Sequence, residues 1–114
     1  MAALYPHFEE VVRKAKKISH EQTRRESEEY LEMVMFQHSL QELQQILESH
    51  FGSALKAAGQ EAPEEVEHIV NNHGGISKEQ ILYHTTRDRM RQLAMVWPWS
   101  DGRRMTVKLI QECE

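Results

Sequence analysis

The chain has 114 residues, of which 39% are hydrophobic and 28% are charged, and its formal net charge is −4. This length predicts a single domain, or one small domain with an added interaction helix. The only cysteine, Cys113, excludes a disulfide framework within one chain, which fits a reducing cytoplasm. No apolar run approaches the length of a membrane span, and the N-terminal segment lacks the basic-then-apolar design of a signal peptide, so we expect a soluble cytoplasmic protein.

The first predicted element is an amphipathic helix over residues 3–18. Pro6 suits the first turn of this helix. Its apolar side chains recur at helical spacing, and they are Phe8, Val11, Val12, Ala15 and Ile18. Its C-terminal end is basic, with Arg13, Lys14, Lys16 and Lys17. These cations fit the negative end of the helix dipole better than they fit a nucleic-acid-binding arm.

Residues 20–29 contain no large apolar side chain, so the sequence predicts either an exposed helix or a loosely ordered connection there.

A long central helix is predicted from Tyr30 to about Phe51. An apolar stripe steps along it by three and four residues through Met33, Phe36, Leu40, Leu43 and Leu47. Both the core helix of a small bundle and the seam of a dimer fit a stripe of about two heptads. These five residues are the candidate oligomer interface of a homodimer.

The best linker candidate is the stretch 58–62, which is marked by Gly59 and followed by Pro63. It separates a helical scaffold and dimerisation segment, residues 1–58, from a second unit, residues 63–111. One compact domain is the alternative. Within the second unit, a helix is predicted over residues 63–73.

The next stretch also has helical signals. Ser77 begins a capping-box pattern, which predicts a helix from Lys78. The adjacent β-branched residues Thr85 and Thr86 favour a break into two helices, because they are weak helix formers and good N-caps. One continuous helix over 77–96 is the alternative.

A β-hairpin is predicted at the end of the chain. Pro98 stops the preceding helix, and Asp101-Gly102 is a strong turn signal between two runs that can form strands. Alternation places Trp97 and Trp99 on one face, where packing of the hairpin is the favoured role and stacking on bases is the alternative.

This order of three helices and a hairpin resembles a winged helix-turn-helix DNA-binding domain, in the C-terminal part of the chain only. The resemblance is topological. It implies that the third helix enters the major groove of double-stranded DNA and that the hairpin contacts the backbone or the minor groove. Positive charge is concentrated in the same part, while the rest of the chain is acidic. The candidate nucleic-acid-binding residues are Lys78, His84, Arg87, Arg89, Arg91, Arg103, Arg104 and Lys108.

No catalytic or metal-binding pattern is evident. The seven histidines include one Glu-x-x-His pair, Glu65 and His68, whereas a di-iron bundle needs two such pairs. The sequence contains no serine flanked by glycines on both sides, as in the Gly-x-Ser-x-Gly motif, and no phosphate-binding glycine loop. We therefore expect no metal, no cofactor and no enzymatic activity.

Together these signals predict a mainly α protein, a small helical bundle with a C-terminal β-hairpin and a winged-helix-like C-terminal half. The leading functional hypothesis is a small DNA-binding protein, a transcriptional regulator or accessory factor that acts as a dimer. The alternative is an α-helical adaptor that binds another protein and has no nucleic-acid role. An oligomeric assembly protein is a third possibility.

Overall fold

The computed structural model describes residues 6–61, 64, 67, 70, 78–87 and 89–113. In chain order the elements are α1 (Pro6–Lys16), β1 (His20–Ser27), β2 (Tyr30–Phe36), a 3-10 turn (Gln37–Ser39), α2 (Leu40–Phe51), β3 (Ile81–Arg87), β4 (Met90–Pro98) and β5 (Arg104–Cys113). The strands form one five-stranded sheet in the order β1-β2-β5-β4-β3, and all neighbouring strands are antiparallel. Residues 64, 67 and 70 are also helical.

The predicted mainly α fold is wrong, because most of the predicted helical stretch over 77–96 belongs to strands. Thr85 and Thr86 do not separate two helices but lie within β3, where their branched side chains suit the pleated backbone. The turn between β3 and β4 includes Arg89, whose φ is 67°. The helix start predicted at Ser77 lies outside the described residues.

The apolar run of β4 explains this error. Both faces of β4 are buried: Ala94 and Val96 join one apolar core, whereas Leu93 and Met95 join another. A strand buried on both faces loses the alternation of apolar and polar residues, so its sequence resembles that of a buried helix.

The predicted central helix is correct only in its second half. Residues 40–51 form α2, but residues 30–36 form β2, in which Leu31, Met33 and Met35 are buried on one face. The apolar stripe that suggested one long helix therefore runs through a strand, a 3-10 turn and a helix. Residues 20–29, predicted as an exposed helix or a connection, instead contain edge strand β1, which is almost entirely exposed.

Two predictions agree with the structure within the described residues. The first is the N-terminal helix, which runs from Pro6 to Lys16 and buries Phe8, Val11 and Ala15. The second is the C-terminal hairpin, in which β4 pairs with β5 around Asp101 and Gly102, and Gly102 has a φ of 70°. The predicted helix over 63–73 is helical at 64, 67 and 70, and the remainder of it lies outside the described residues.

The two cores lie on opposite faces of the sheet. The larger core contains side chains of α1 and α2 packed on β2, β3, β4 and β5. The smaller core contains Val70 from the helical position at 70, packed with Leu82, Leu93, Met95 and Ile110 on the other face. We call the face with α1 and α2 the helix face, and the opposite one the second face.

The outer edge of β3 is held by a buried lysine. Lys56 exchanges backbone hydrogen bonds with Leu82, and its side chain is only 1% exposed. Its ammonium group donates to the carbonyl oxygens of Ala57, Lys78 and Gln80. Burial lowers the pKa of Lys56, and the carboxylates of Glu79 and Glu61 oppose this change.

Tyr83 is a second polar group in the interior. Its ring is completely buried on the helix face, and its hydroxyl donates to Oε2 of Glu48 at 3.3 Å. Burial, followed by the nearby Glu48 carboxylate, raises the pKa of Tyr83 to about 12. Both effects disfavour the phenolate.

We predict that Lys56→Met lowers the free energy of unfolding by about 3 kcal/mol, because three carbonyl oxygens lose their donor in a buried site. Urea denaturation monitored by circular dichroism measures the change. Lys17→Met, at an exposed position after α1, is the matched control and should cost less than about 0.5 kcal/mol. Equal stability of the two variants would show that the three hydrogen bonds contribute nothing.

We predict that Tyr83 makes the protein less stable at alkaline pH. An unfolded tyrosine ionises near pH 10 and the folded one near pH 12, so stability present below pH 10 is lost between these values. At pH 11 the loss assigned to Tyr83 is about 1.4 kcal/mol. Urea denaturation measures how much the free energy of unfolding falls between pH 8 and pH 11, and this fall should be smaller by that amount in Tyr83→Phe than in the unmodified protein. An identical fall in the two proteins would contradict the assignment.

Candidate functional site

The basic residues predicted to bind DNA do not lie together. Arg87 ends β3, Arg89 is exposed in the turn that follows, and Arg91 is the second residue of β4, where its guanidinium contacts Glu112 at 2.8 Å. Arg103 and Arg104 lie beyond the opposite end of β4. Since a strand advances about 3.3 Å per residue, the length of β4 separates the two groups by roughly 26 Å.

The other predicted contacts are also dispersed. Lys78 is exposed near the buried Lys56, and its carbonyl oxygen accepts a hydrogen bond from that side chain. His84 is half-buried within β3. Lys108 lies in β5 beside an aromatic ring. The arrangement predicted from a winged helix, with a recognition helix beside the hairpin, is thus absent from the described part of the chain.

The predicted oligomer interface is largely internal. Met33, Leu43 and Leu47 are completely buried in the larger core of the single chain, and Leu40 packs against that core. Phe36 is half-buried at the end of β2. Of this set, Phe36 also belongs to a surface of aromatic rings and cations on the second face.

The structure brings aromatic rings and cations together on the second face, where β1, β2, β5 and the end of β4 lie side by side. The rings are Tyr30, Phe36, Trp97 and Trp99; the cations are Arg24, Arg25, Arg103, Arg104 and Lys108; the carboxylates are Glu21, Glu32 and Asp101. We call this set the aromatic face. Five cations against three carboxylates leave a local excess of two positive charges in a chain whose net charge is −4.

Trp99 is the centre of the aromatic face. Its indole N–H donates to Oγ1 of Thr106 at 2.9 Å. The guanidinium carbons of Arg24 and Arg104 lie 5.5 and 5.8 Å from the centre of its ring, within the range of cation–π attraction. Both arginines therefore orient the indole over the strands.

Arg104 is held by two carboxylates of the protein. Its guanidinium donates to Glu21 on β1 and to Asp101 in the hairpin turn, at 2.9 Å in each case. Asp101 also accepts hydrogen bonds from the backbone N–H groups of Arg103 and Arg104, and these donors hold the pKa of its carboxyl below the usual value. The turn is consequently fixed in one conformation and tied to the edge strand.

Two further cations on the aromatic face stand over rings. The guanidinium of Arg25 lies 4.7 Å from the centre of the Tyr30 ring, and the ammonium of Lys108 lies 4.7 Å from that of Trp97. Among the described residues, neither cation has a carboxylate within 4 Å. Arg24 differs, since Glu32 lies 3.8 Å from it.

Some of this surface could be predicted from the sequence. Alternation along the hairpin correctly placed Trp97 and Trp99 on one face, and Arg103, Arg104 and Lys108 are common to the predicted site and the aromatic face. Arg24, Arg25 and Tyr30 are missing from the prediction. Their only signal is that a charged, apolar-poor stretch is typical of a protected edge strand.

Other kinds of site are not evident within the described ranges. No group of three or more histidine, cysteine, aspartate or glutamate side chains there is arranged to hold a metal ion. In the same part of the chain, no helix combines the length and the apolar character needed to cross a bilayer.

Comparison with protein-family models, with curated proteins and with solved structures gives no match to this chain.

We predict that Asp101→Ala loosens the hairpin turn. Loss of the carboxylate removes the acceptor of the Arg103 and Arg104 amides and one partner of the Arg104 guanidinium. Amide hydrogen exchange at residues 103 and 104 should become faster, whereas exchange at the centre of β5 should not change. Ser100→Ala, at an exposed neighbouring position, is the control, and exchange rates that are equal in both variants would contradict the assigned role.

Proposed function

We propose that the protein is a small non-catalytic binding protein whose aromatic face binds single-stranded nucleic acid. One observation carries this proposal: three cations of the face have no carboxylate oxygen within 4 Å among the described residues. Two of these cations lie over aromatic rings, and the third lines a groove with an aromatic side chain. Arg25 is beside Tyr30, Lys108 is beside Trp97, and Arg103 lines a groove with Phe36.

The chemistry of single strands fits this pairing. Unpaired bases stack on aromatic side chains and on guanidinium planes, while the phosphates that connect them need cations at short intervals. Along β5, the aromatic face extends from the level of Tyr30, which pairs with Ile110, to that of Phe36, which pairs with Arg104. This is about 20 Å of strand, enough for a short single-stranded site of about four nucleotides.

Double-stranded DNA, the ligand predicted from the sequence, fits this surface less well than a single strand does. The major groove admits a helix or a two-stranded ribbon, and the aromatic face is a broad area of four strands. Bases in a duplex also keep their flat surfaces stacked on one another, so the rings would have no partner. We therefore replace the duplex hypothesis with a single-stranded one.

The remaining expectations become parts of the proposal. The absence of enzymatic activity, a cytoplasmic location and a dimeric state stay predictions. The exposed thiol of Cys113 is consistent with a reducing compartment. A protein partner remains the alternative, because interfaces between proteins are also enriched in Trp, Tyr and Arg.

The test is fluorescence anisotropy with labelled single strands of about 12 nucleotides, in DNA and in RNA form, and with the matching duplex. We expect binding of the single strands at low salt, weaker binding of the duplex, and loss of affinity as salt rises. The double variant Arg25→Gln/Lys108→Gln should lower the affinity at least about tenfold. It should also reduce the salt slope by about 1.4, since each single-strand phosphate contact contributes about 0.7.

The matched control is Arg13→Gln/Lys17→Gln, which removes the same charge from exposed positions in and just after α1. It should leave both the affinity and the salt slope nearly unchanged. Equal loss in the two double variants would mean that only the net charge matters, and absence of binding at low salt would overturn the proposal in favour of a protein partner.

A further inference from the structure

A groove of about 340 Å³ lies at one end of the aromatic face, between the end of β2 and the hairpin turn. Phe36, His38, Gly102 and Arg103 line it. The rings of Phe36 and His38 are parallel within 1°, and their centres are 5.6 Å apart. His38 is exposed, so a flat ring from outside can stack on the same column.

The walls of this groove are fixed by hydrogen bonds. The backbone N–H of Gln37 donates to the carbonyl oxygen of Arg103 at 2.8 Å. The side-chain amide of Gln37 donates to the carbonyl oxygens of Trp99 and Arg104, at 3.2 and 2.8 Å. Together with the Asp101 hydrogen bonds in the turn, these contacts connect the backbones of the two walls, so little backbone entropy is lost on binding.

The two neighbouring arginines of the turn have different roles. Arg104 is engaged by Glu21 and Asp101, but no carboxylate among the described residues lies within 4 Å of the Arg103 side chain, which is exposed. An arginine next to an open aromatic column offers donors to an anion attached to a flat ring. Carboxylates would be attracted as well, but the parallel rings favour a planar body over a peptide side chain.

We propose that this groove binds one nucleotide unit, with its base stacked on the Phe36–His38 column and its phosphate on Arg103. The inference rests on the proposed function and specifies one position of the same surface. It predicts that a single nucleoside monophosphate binds there without the rest of the strand, with a dissociation constant of about 1 mM.

The experiment is a titration of ¹⁵N-labelled protein followed by NMR, with adenosine monophosphate, adenosine and inorganic phosphate as separate probes. We expect adenosine monophosphate to shift the amides of Gln37, Gly102 and Arg103 and to bind more tightly than either fragment. Arg103→Gln should weaken adenosine monophosphate about tenfold and leave adenosine unchanged. His38→Ala should weaken both by a similar factor, and Arg13→Gln should affect neither.

Several results would overturn the inference. They are shifts that map to other residues, phosphate that binds as tightly as adenosine monophosphate, and an equal effect of Arg103→Gln on the monophosphate and on adenosine. If single strands bind but adenosine monophosphate does not, the groove assignment fails and the proposed function stands. If neither single strands nor adenosine monophosphate bind, the groove assignment and the proposed function both fail. If only the monophosphate binds at the groove, the groove is a mononucleotide site and the proposed function fails.

Discussion

Burial of both faces of the central strands is the constraint on which this structure depends. In β4, Ala94 and Val96 need α1 and α2 above them, while Leu93 and Met95 need cover on the other side. The helical position at Val70 supplies part of that cover. Val34 of β2 is also fully buried, and alternation along β2 places it on the second face. Trp99 and the arginines that contact its ring lie on the same side of the sheet, so the proposed binding surface and the cover of the sheet share one face.

This double role constrains how the aromatic face can work. Arg104, Glu21 and Asp101 stabilise the turn and the edge strand, and together they carry a net charge of −1. Ligand binding would use the cations that form no ion pair among the described residues, which are Arg25, Arg103 and Lys108. A rigid set and a free set of cations on one surface allow substitutions that separate binding from folding.

The sequence contained enough information for some elements and not for others. The hairpin was predictable because Asp101-Gly102 is a local turn signal, and α1 because its apolar residues keep one helical period. Strand β4 was not predictable, since burial of both of its faces removes the alternation of apolar and polar residues that marks a strand. β2 was not predictable either, because its apolar residues happen to continue the spacing of α2 through the 3-10 turn. Local pattern cannot show which residues a sheet will cover.

The binding surface was partly predictable for a related reason. The excess of positive charge near the C-terminus is a property of the sequence, but its distribution in space depends on strand order. Pairing of β2 with β5 brings β1 beside the hairpin, so that Arg24 reaches Trp99 across more than 70 residues of sequence. Pairing of β3 with β4 moves Arg89 and Arg91 to the far end of the sheet. The basic residues that lie close together in the sequence are therefore divided between the two ends of the sheet.

The most direct test of the central claim is photochemical crosslinking of a single strand containing 5-iodouridine, followed by mass spectrometry of the crosslinked peptides. Because this base reacts with the aromatic side chains on which it stacks, we expect crosslinks at Tyr30, Phe36, Trp97 or Trp99. Crosslinks confined to peptides of α1 or of the β3–β4 turn would place the nucleic acid elsewhere and would contradict binding at the aromatic face.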